Sequence, residues 1–302
     1  MLPREWQIGE VVTHPNRPDW GPGKIVRVEA NRIHVVWRDL PDRAAKKIVP
    51  TAISLERAAD QSDPVLDNLP PLVERKGELF LPAERVSFQQ AVDRFLAKYP
   101  LGFEDPGYIG SKAIGGERHY KWDAHLFFLD RLGGGHFREL LESDADTLVL
   151  EVLRCIRKTN LPYPMEKTAI ADALEDGHGR SEFLSRLADV LDAEEPTEQT
   201  YTAYVRALGN LPVFGARVAC WPNATIIPFL ADPTRHMFLK PEPTQKAADA
   251  LGFHLNYKPE PNWLTYRRLL DMATIYMDKL SPYKPKDLID VQSFFWLVSG
   301  DH

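Results

Sequence analysis

The period of the apolar residues changes partway along the chain, and this change constrains the fold more than any other feature. Between residues 8 and 50 the repeat is two-fold: in RIHVVWRD, Ile33, Val35 and Trp37 alternate with His34, Val36 and Arg38. That alternation sends successive side chains to opposite faces of a strand. From Ser87 onward the repeat is helical. Phe88, Ala91, Val92, Phe95, Leu96 and Tyr99 follow i, i+3, i+4 spacing behind a Ser87/Gln90 capping box. The sequence therefore predicts an α+β chain with segregated domains, β structure over 1–58 and an all-α domain over 84–302. Residues 59–83 (ADQSDPVLDNLPPLVERKGELFLPA) carry proline, mixed charge and no sustained period, so they read as a linker.

GEVVTHP, GKIVRVEA and RIHVVWRD are short β-branched runs, and Ala30-Asn31 suits a tight hairpin because asparagine tolerates positive φ. Strands this short and this closely spaced most economically close into a small SH3-like barrel. In the helical domain, Ser143 with Asp146, Ser181, Thr197 and Asn262 are expected to open helices, and Pro285 to start the last one. Loops are expected at Gly102–Gly116 and Ala219–Pro243.

With 44% hydrophobic and 26% charged residues, the chain can build a core, which argues against wholesale disorder. No apolar run approaches the roughly 18 residues that span a bilayer, and MLPREWQIGEVV has mixed charge and no apolar segment, so neither membrane insertion nor a signal peptide is expected. Two cysteines, Cys155 and Cys220, are too few for a disulfide scaffold or zinc cluster and point to a cytoplasmic location. The net charge of −6 excludes a globally basic coat for nucleic acid. Residues 206–246 depart from it, with five Lys/Arg against two acidic groups. The histidines are scattered; His119 and His125, six apart, do not share a helical face, so no metal or cofactor is expected.

Two segments carry resemblances. HPNRPDWGPGKIVRV, with Pro18-Asp19-Trp20-Gly21 and then Gly23 before a strand, resembles the Tudor/SH3-like modules of UvrD-type helicases and, more distantly, the polymerase-interacting module of CarD-type regulators. That resemblance implies docking on nucleic acid or on a helicase or RNA polymerase. Leu211-Pro212-x-x-Gly215-x-x-x-Ala219, after one helix and before another, resembles the helix–hairpin–helix signature. There the glycine lets backbone N–H groups approach a DNA phosphate. The resemblance implies that Leu211, Gly215, Ala216, Arg217 and Val218 form a DNA-binding hairpin, with His236 and Lys240 as further DNA contacts. Pro222 is expected to cut the following helix early.

Helix–hairpin–helix DNA glycosylases place an essential aspartate after the second helix, and this chain offers Asp232 in Pro228-Phe229-Leu230-Ala231-Asp232. A carboxylate there stabilises positive charge developing on the sugar as an N-glycosidic bond breaks. The resemblance thus implies a DNA glycosylase-like enzyme that excises a damaged or modified base, in repair or in bacterial defence against modified phage DNA. The extruded base needs aromatic walls, and Tyr108, His119, Tyr120 and Trp122 in YIGSKAIGGERHYKW are candidates. Arg217 stands where lyase-active members carry a nucleophilic lysine. Arginine forms no Schiff base, so a monofunctional enzyme is expected. Asp232 also reads as a helix N-cap before Pro233. A non-enzymatic DNA-binding adaptor and a helical protein-interaction domain stand as alternatives.

Overall fold

The computed structural model describes residues 6–40, 44–69, 71–75, 77–81 and 86–299. The chain divides into two compact units, 1–84 and 85–302. The first holds a small antiparallel sheet region and the second is helical.

In the first unit, β1 (Val11–Thr13), β2 (Gly23–Val28), β3 (Ile33–Trp37) and β4 (Lys46–Ile48) form a meander, and β5 (Glu56–Arg57) returns to pair with β1. The sheet order is β4-β3-β2-β1-β5, with a register shift in β2 between Ile25 and Arg27. Every residue of β3 is buried, because both faces of the sheet are covered. Val12, Ile25, Ile33, Val35, Trp37, Ile48 and Leu55 make one apolar layer, and Val11, Val36, Ala45, Leu66 and Leu79 make the other. The β2–β3 turn is closed by the Glu29 N–H donating to the Arg32 carbonyl at 2.8 Å, and Asn31 keeps a negative φ. The positive φ expected there is not used.

The second layer corrects the linker reading. Leu66 lies in a 3₁₀ turn and Leu79 in a hairpin of β6 (Val73–Arg75) and β7 (Glu78–Phe80), and both side chains are buried. The Ala45 N–H donates to the Leu79 carbonyl at 2.8 Å. Lys24–Asp67, Arg27–Glu74 and Lys47–Glu78 pair at 2.7 Å each, and Arg38–Asp63 at 3.0 Å. Pro64 and Pro71 punctuate a packed segment.

The second unit contains α1 (Phe88–Lys98), α2 (Pro106–Ile109), α3 (His119–Leu132), α4 (His136–Ser143), α5 (Ala145–Arg157) and α6 (Pro164–Asp176). They are followed by α7 (Arg180–Asp192), α8 (Glu198–Gly209), α9 (Trp221–Ala231), α10 (Pro241–Leu251), α11 (Trp263–Leu280) and α12 (Leu288–Ser299). The Ser87/Gln90 capping box forms, with both reciprocal bonds present at 3.2 and 2.8 Å. Thr197 caps α8 and Asn262 caps α11 through the N–H groups of Thr200 and Thr265. Three expected starts move. Asp144, not Ser143, caps α5; Ser181 lies inside α7; and α12 opens at Leu288, beyond Pro285. Ser143 instead ends α4, its hydroxyl donating to the Glu139 carbonyl. The expected loops at 102–116 and 219–243 also hold α2 and α9.

All of α9 from Trp221 to Leu230 is buried, packed against α3, α5, α6 and α7. A helix apolar on every face belongs in the middle of a helical domain. Among the described residues no helix is long and apolar enough to cross a membrane.

Because Leu66 and Leu79 are buried against the sheet, a fragment of residues 1–84 should melt cooperatively with β-type circular dichroism. One ending at residue 58 should lose at least about 3 kcal/mol, from about 1.5–3 kcal/mol per buried leucine. Equal melting temperatures for the two fragments would contradict this packing.

Candidate nucleic-acid interface and adjoining cleft

α8 ends at Gly209, and an irregular loop runs from Asn210 to Cys220 before α9. Leu211 and Val218 are buried and anchor the loop. The Val218 carbonyl accepts from the Asn223 side-chain amide at 3.0 Å. Between the anchors the chain turns outward. Val213 and Phe214 are 62% and 48% exposed, and Gly215 holds φ +81°, with the Ala216 N–H bonded to the Phe214 carbonyl. A Cβ at Gly215 would meet nothing, so the backbone conformation alone selects glycine there. Ala216 is half-buried against the core, and exposed Arg217 pairs with Glu260 at 3.4 Å. The second helix opens at Trp221, six residues after Gly215, because Pro222 fits a first helical turn, where no backbone N–H is needed. Pro222 starts that helix rather than cutting it.

Asp232 lies immediately after α9, with its N–H bonded to the Pro228 carbonyl. The helix N-cap reading is corrected, since residues 233–235 form a single turn and α10 begins only at Pro241. Asp232 Oδ1 accepts from the Thr234 N–H (2.9 Å) and hydroxyl (2.5 Å), and Oδ2 from Arg235 Nε (2.6 Å). Arg235 Nη1 also donates to the carbonyls of Ala193 and Glu194, which ties this turn to the α7–α8 connection. Partial burial pushes the Asp232 carboxyl up, but the Thr234 and Arg235 hydrogen bonds outweigh it. The group stays below the ordinary aspartate range and is ionised at neutral pH. Its partners Thr234 and Arg235 help line a cleft of about 620 Å³, together with Arg267, Leu270, Asp271 and Met277 of α11 and with Lys286, Asp287 and Leu288; Asp232 itself is not among the lining residues.

The other expected site residues divide. Tyr108 is not a pocket wall. It is fully buried among Phe95, Tyr99 and Phe103, and its hydroxyl donates to Asp290 at 2.5 Å. His119, Tyr120 and Trp122 point around α3 rather than to one place: His119 pairs with Asp123, and the Tyr120 hydroxyl lies 3.4 Å from Glu117. Trp122 remains partly exposed, with the Arg118 guanidinium 5.0 Å from its ring and the His125 ring 4.9 Å away. His125 Nδ1 in turn bonds to the Leu230 carbonyl at 2.7 Å, two residues before Asp232.

His236 and Lys240 are corrected as DNA contacts, because both are buried. His236 Nδ1 lies 2.9 Å from the Tyr266 hydroxyl, and burial lowers its pKa to about 4, so it stays neutral. Lys240 Nζ donates to the Leu161 carbonyl at 3.0 Å and sits 3.7 Å from the Tyr163 ring centroid.

Sequence reasoning missed a buried ionic cluster behind the cleft. Arg118 forms a bidentate pair with Asp287 (2.8 and 2.5 Å) and reaches Asp290 at 2.6 Å. Lys121 Nζ donates to Glu117 at 2.5 Å and Ser293 at 2.7 Å. The available signal was polar: Asp287, Asp290, Gln292 and Ser293 interrupt the apolar closing run DLIDVQSFFWLV, and ERHYK supplies the matching cations. The Leu288 N–H donates to the Pro233 carbonyl at 2.9 Å, which joins this cluster to the Asp232 turn. Among the described residues no group of three or more His, Cys, Asp or Glu is placed to hold a metal ion. No protein-family model, curated protein sequence or solved structure matches this chain.

Arg118→Met strands two buried carboxylates and should cost about 3–5 kcal/mol in urea denaturation. A loss below 1 kcal/mol would contradict the role given to this pair. His236 generates a pH dependence. Below its ordinary value of 6.5 the unfolded chain takes up a proton that the folded chain refuses until about pH 4. Stability is therefore complete above pH 6.5 and falls as pH drops toward 4, by about 3 kcal/mol at most. His236→Gln should flatten that slope. An unchanged slope would show that other groups cause any acid lability.

Proposed function

We propose that this protein binds DNA through the 212–217 loop and hydrolyses the N-glycosidic bond of a damaged or modified base, with Asp232 as the carboxylate beside the sugar. One observation carries the reading: α9 holds an exposed glycine loop at one end and, at the other, an ionised carboxylate whose partners Thr234 and Arg235 line a cleft of about 620 Å³. The α8–loop–α9 order is read as a helix–hairpin–helix, supported by the positive φ of Gly215 and the exposure of Arg217. The N-terminal sheet is read as a barrel-like docking module for nucleic acid, a helicase or RNA polymerase, supported by the return of β5 to β1. Two unpaired cysteines support a reducing, cytoplasmic setting.

In this mechanism the nucleotide leaves the stack and its sugar comes to rest beside Asp232. As the C1′–N bond lengthens, its electron pair leaves with the base, which takes up a proton. The carboxylate offsets the positive charge on the sugar and orients the water whose oxygen bonds to C1′. The products are a free base and an abasic site. Arginine at 217 forms no Schiff base, so the strand stays intact until alkali is added.

The adaptor reading has its own support, because both Asp232 oxygens are already engaged by Thr234 and Arg235. Asp232→Asn separates the two. The enzyme reading predicts DNA affinity within about twofold of wild type and loss of base release, read by alkali-induced strand cleavage on a substrate the wild type processes. Base release equal to wild type would refute it. Arg217→Glu should weaken DNA binding at least tenfold and flatten its salt dependence. An unchanged isotherm would remove the hairpin from the interface.

A further inference from the structure

A second concavity lies on the loop between α10 and α11. It measures about 420 Å³ and is lined by Phe253, His254, Asn256, Tyr257 and Lys258, with Asp249 and Leu264 at its margins. The loop is fixed at four points. The Phe253 N–H donates to the Ala248 carbonyl at 2.8 Å, and Arg268 Nε to the His254 carbonyl at 3.2 Å. The Thr265 hydroxyl donates to the Asn256 carbonyl at 2.7 Å, and Trp221 Nε1 to the Lys258 carbonyl at 2.7 Å. Asn256 holds φ +52°, a conformation uncommon for a residue with a side chain. The concavity is thus preformed rather than a gap between mobile side chains.

Its position is as informative as its shape. Trp221 is the first residue of α9, and Arg217 of the glycine loop pairs with Glu260 of this same segment. The two loops share one face of the helical unit. The lining chemistry suits a nucleotide: Phe253 and Tyr257 offer aromatic surface, Asn256 a side-chain amide, and exposed Lys258 a cation. One face of Phe253 is already covered by the Arg268 guanidinium, 4.3 Å from the ring centroid. Burial raises the Tyr257 phenol above its ordinary value, so it stays neutral beside a phosphate.

We infer that this concavity receives a single unstacked base of the DNA strand engaged by the glycine loop, stacking it on Tyr257 while Lys258 meets its phosphate. Stacking on one aromatic ring is worth about 1–3 kcal/mol and tolerates any base. The inference rests on the DNA-binding reading above but not on base excision. It assigns the loop a holding role separate from the Asp232 cleft.

The test is fluorescence anisotropy with the full chain and two labelled DNAs, a paired duplex and the same duplex with a one-nucleotide bulge. Wild type should prefer the bulged DNA at least tenfold. Tyr257→Ala and Lys258→Glu, with melting temperatures near wild type, should lose most of that preference, whereas Tyr257→Phe should retain it. Equal binding of both DNAs by wild type, or an undiminished preference in Tyr257→Ala, would overturn the inference and leave the DNA-binding reading standing. Binding of neither DNA would overturn both. If Tyr257→Ala fails to fold, Lys258→Glu decides alone, since its exposed side chain lies outside the core.

Discussion

The helical unit depends on the complete burial of α9. A segment reading WPNATIIPFLA has no polar face to offer water, so neighbouring helices must enclose it. The chain can then reach the surface only where the helix stops. Eleven residues at 1.5 Å per residue separate its two ends by about 16 Å. One end emerges at the glycine loop and the other at the Asp232 turn. Two features distinct in sequence thereby become fixed relative to each other by one buried helix.

Each end is secured by polar groups. At the N-terminal end, the Asn223 amide holds the Val218 carbonyl, and Trp221 Nε1 holds the Lys258 carbonyl. At the C-terminal end, Arg235 bridges Asp232 to the α7–α8 connection, and His125 takes the Leu230 carbonyl. Behind the cleft, Arg118 holds Asp287 and Asp290 in a buried cluster, and burial outweighs the pairing with Arg118 and Tyr108 enough to push the Asp290 carboxyl above its ordinary value. Arg235 and Asp287, held in this way, line the cleft.

The sequence revealed what local periodicity and capping chemistry encode. The β3 alternation, the Ser87/Gln90 capping box, and the caps of α8 and α11 all rest on interactions within four residues or on a single face. Long-range partners were not legible. Residues 59–83 read as a linker because Leu66 and Leu79 find their apolar partners, and Asp67 and Glu74 their cations, only on strands far back in the chain. Asp232 was legible as a carboxylate following α9. Tyr108 was misassigned because its burial depends on α1 and Asp290, and Lys240 because its carbonyl and aromatic partners lie 79 and 77 residues away. The apolar bracket Phe238-Leu239 before Lys240 was a usable sign of burial.

We propose that the Asp232 turn and the cleft lined by its partners form a place where a base leaves DNA. The most direct test is mass spectrometry of small molecules released when the purified full chain is incubated with DNAs carrying different base modifications. At least one free base should appear in the supernatant, matched one-for-one by abasic sites in unbroken strands. DNA that is bound across the whole panel with no base released above the protein-free blank would contradict the proposal.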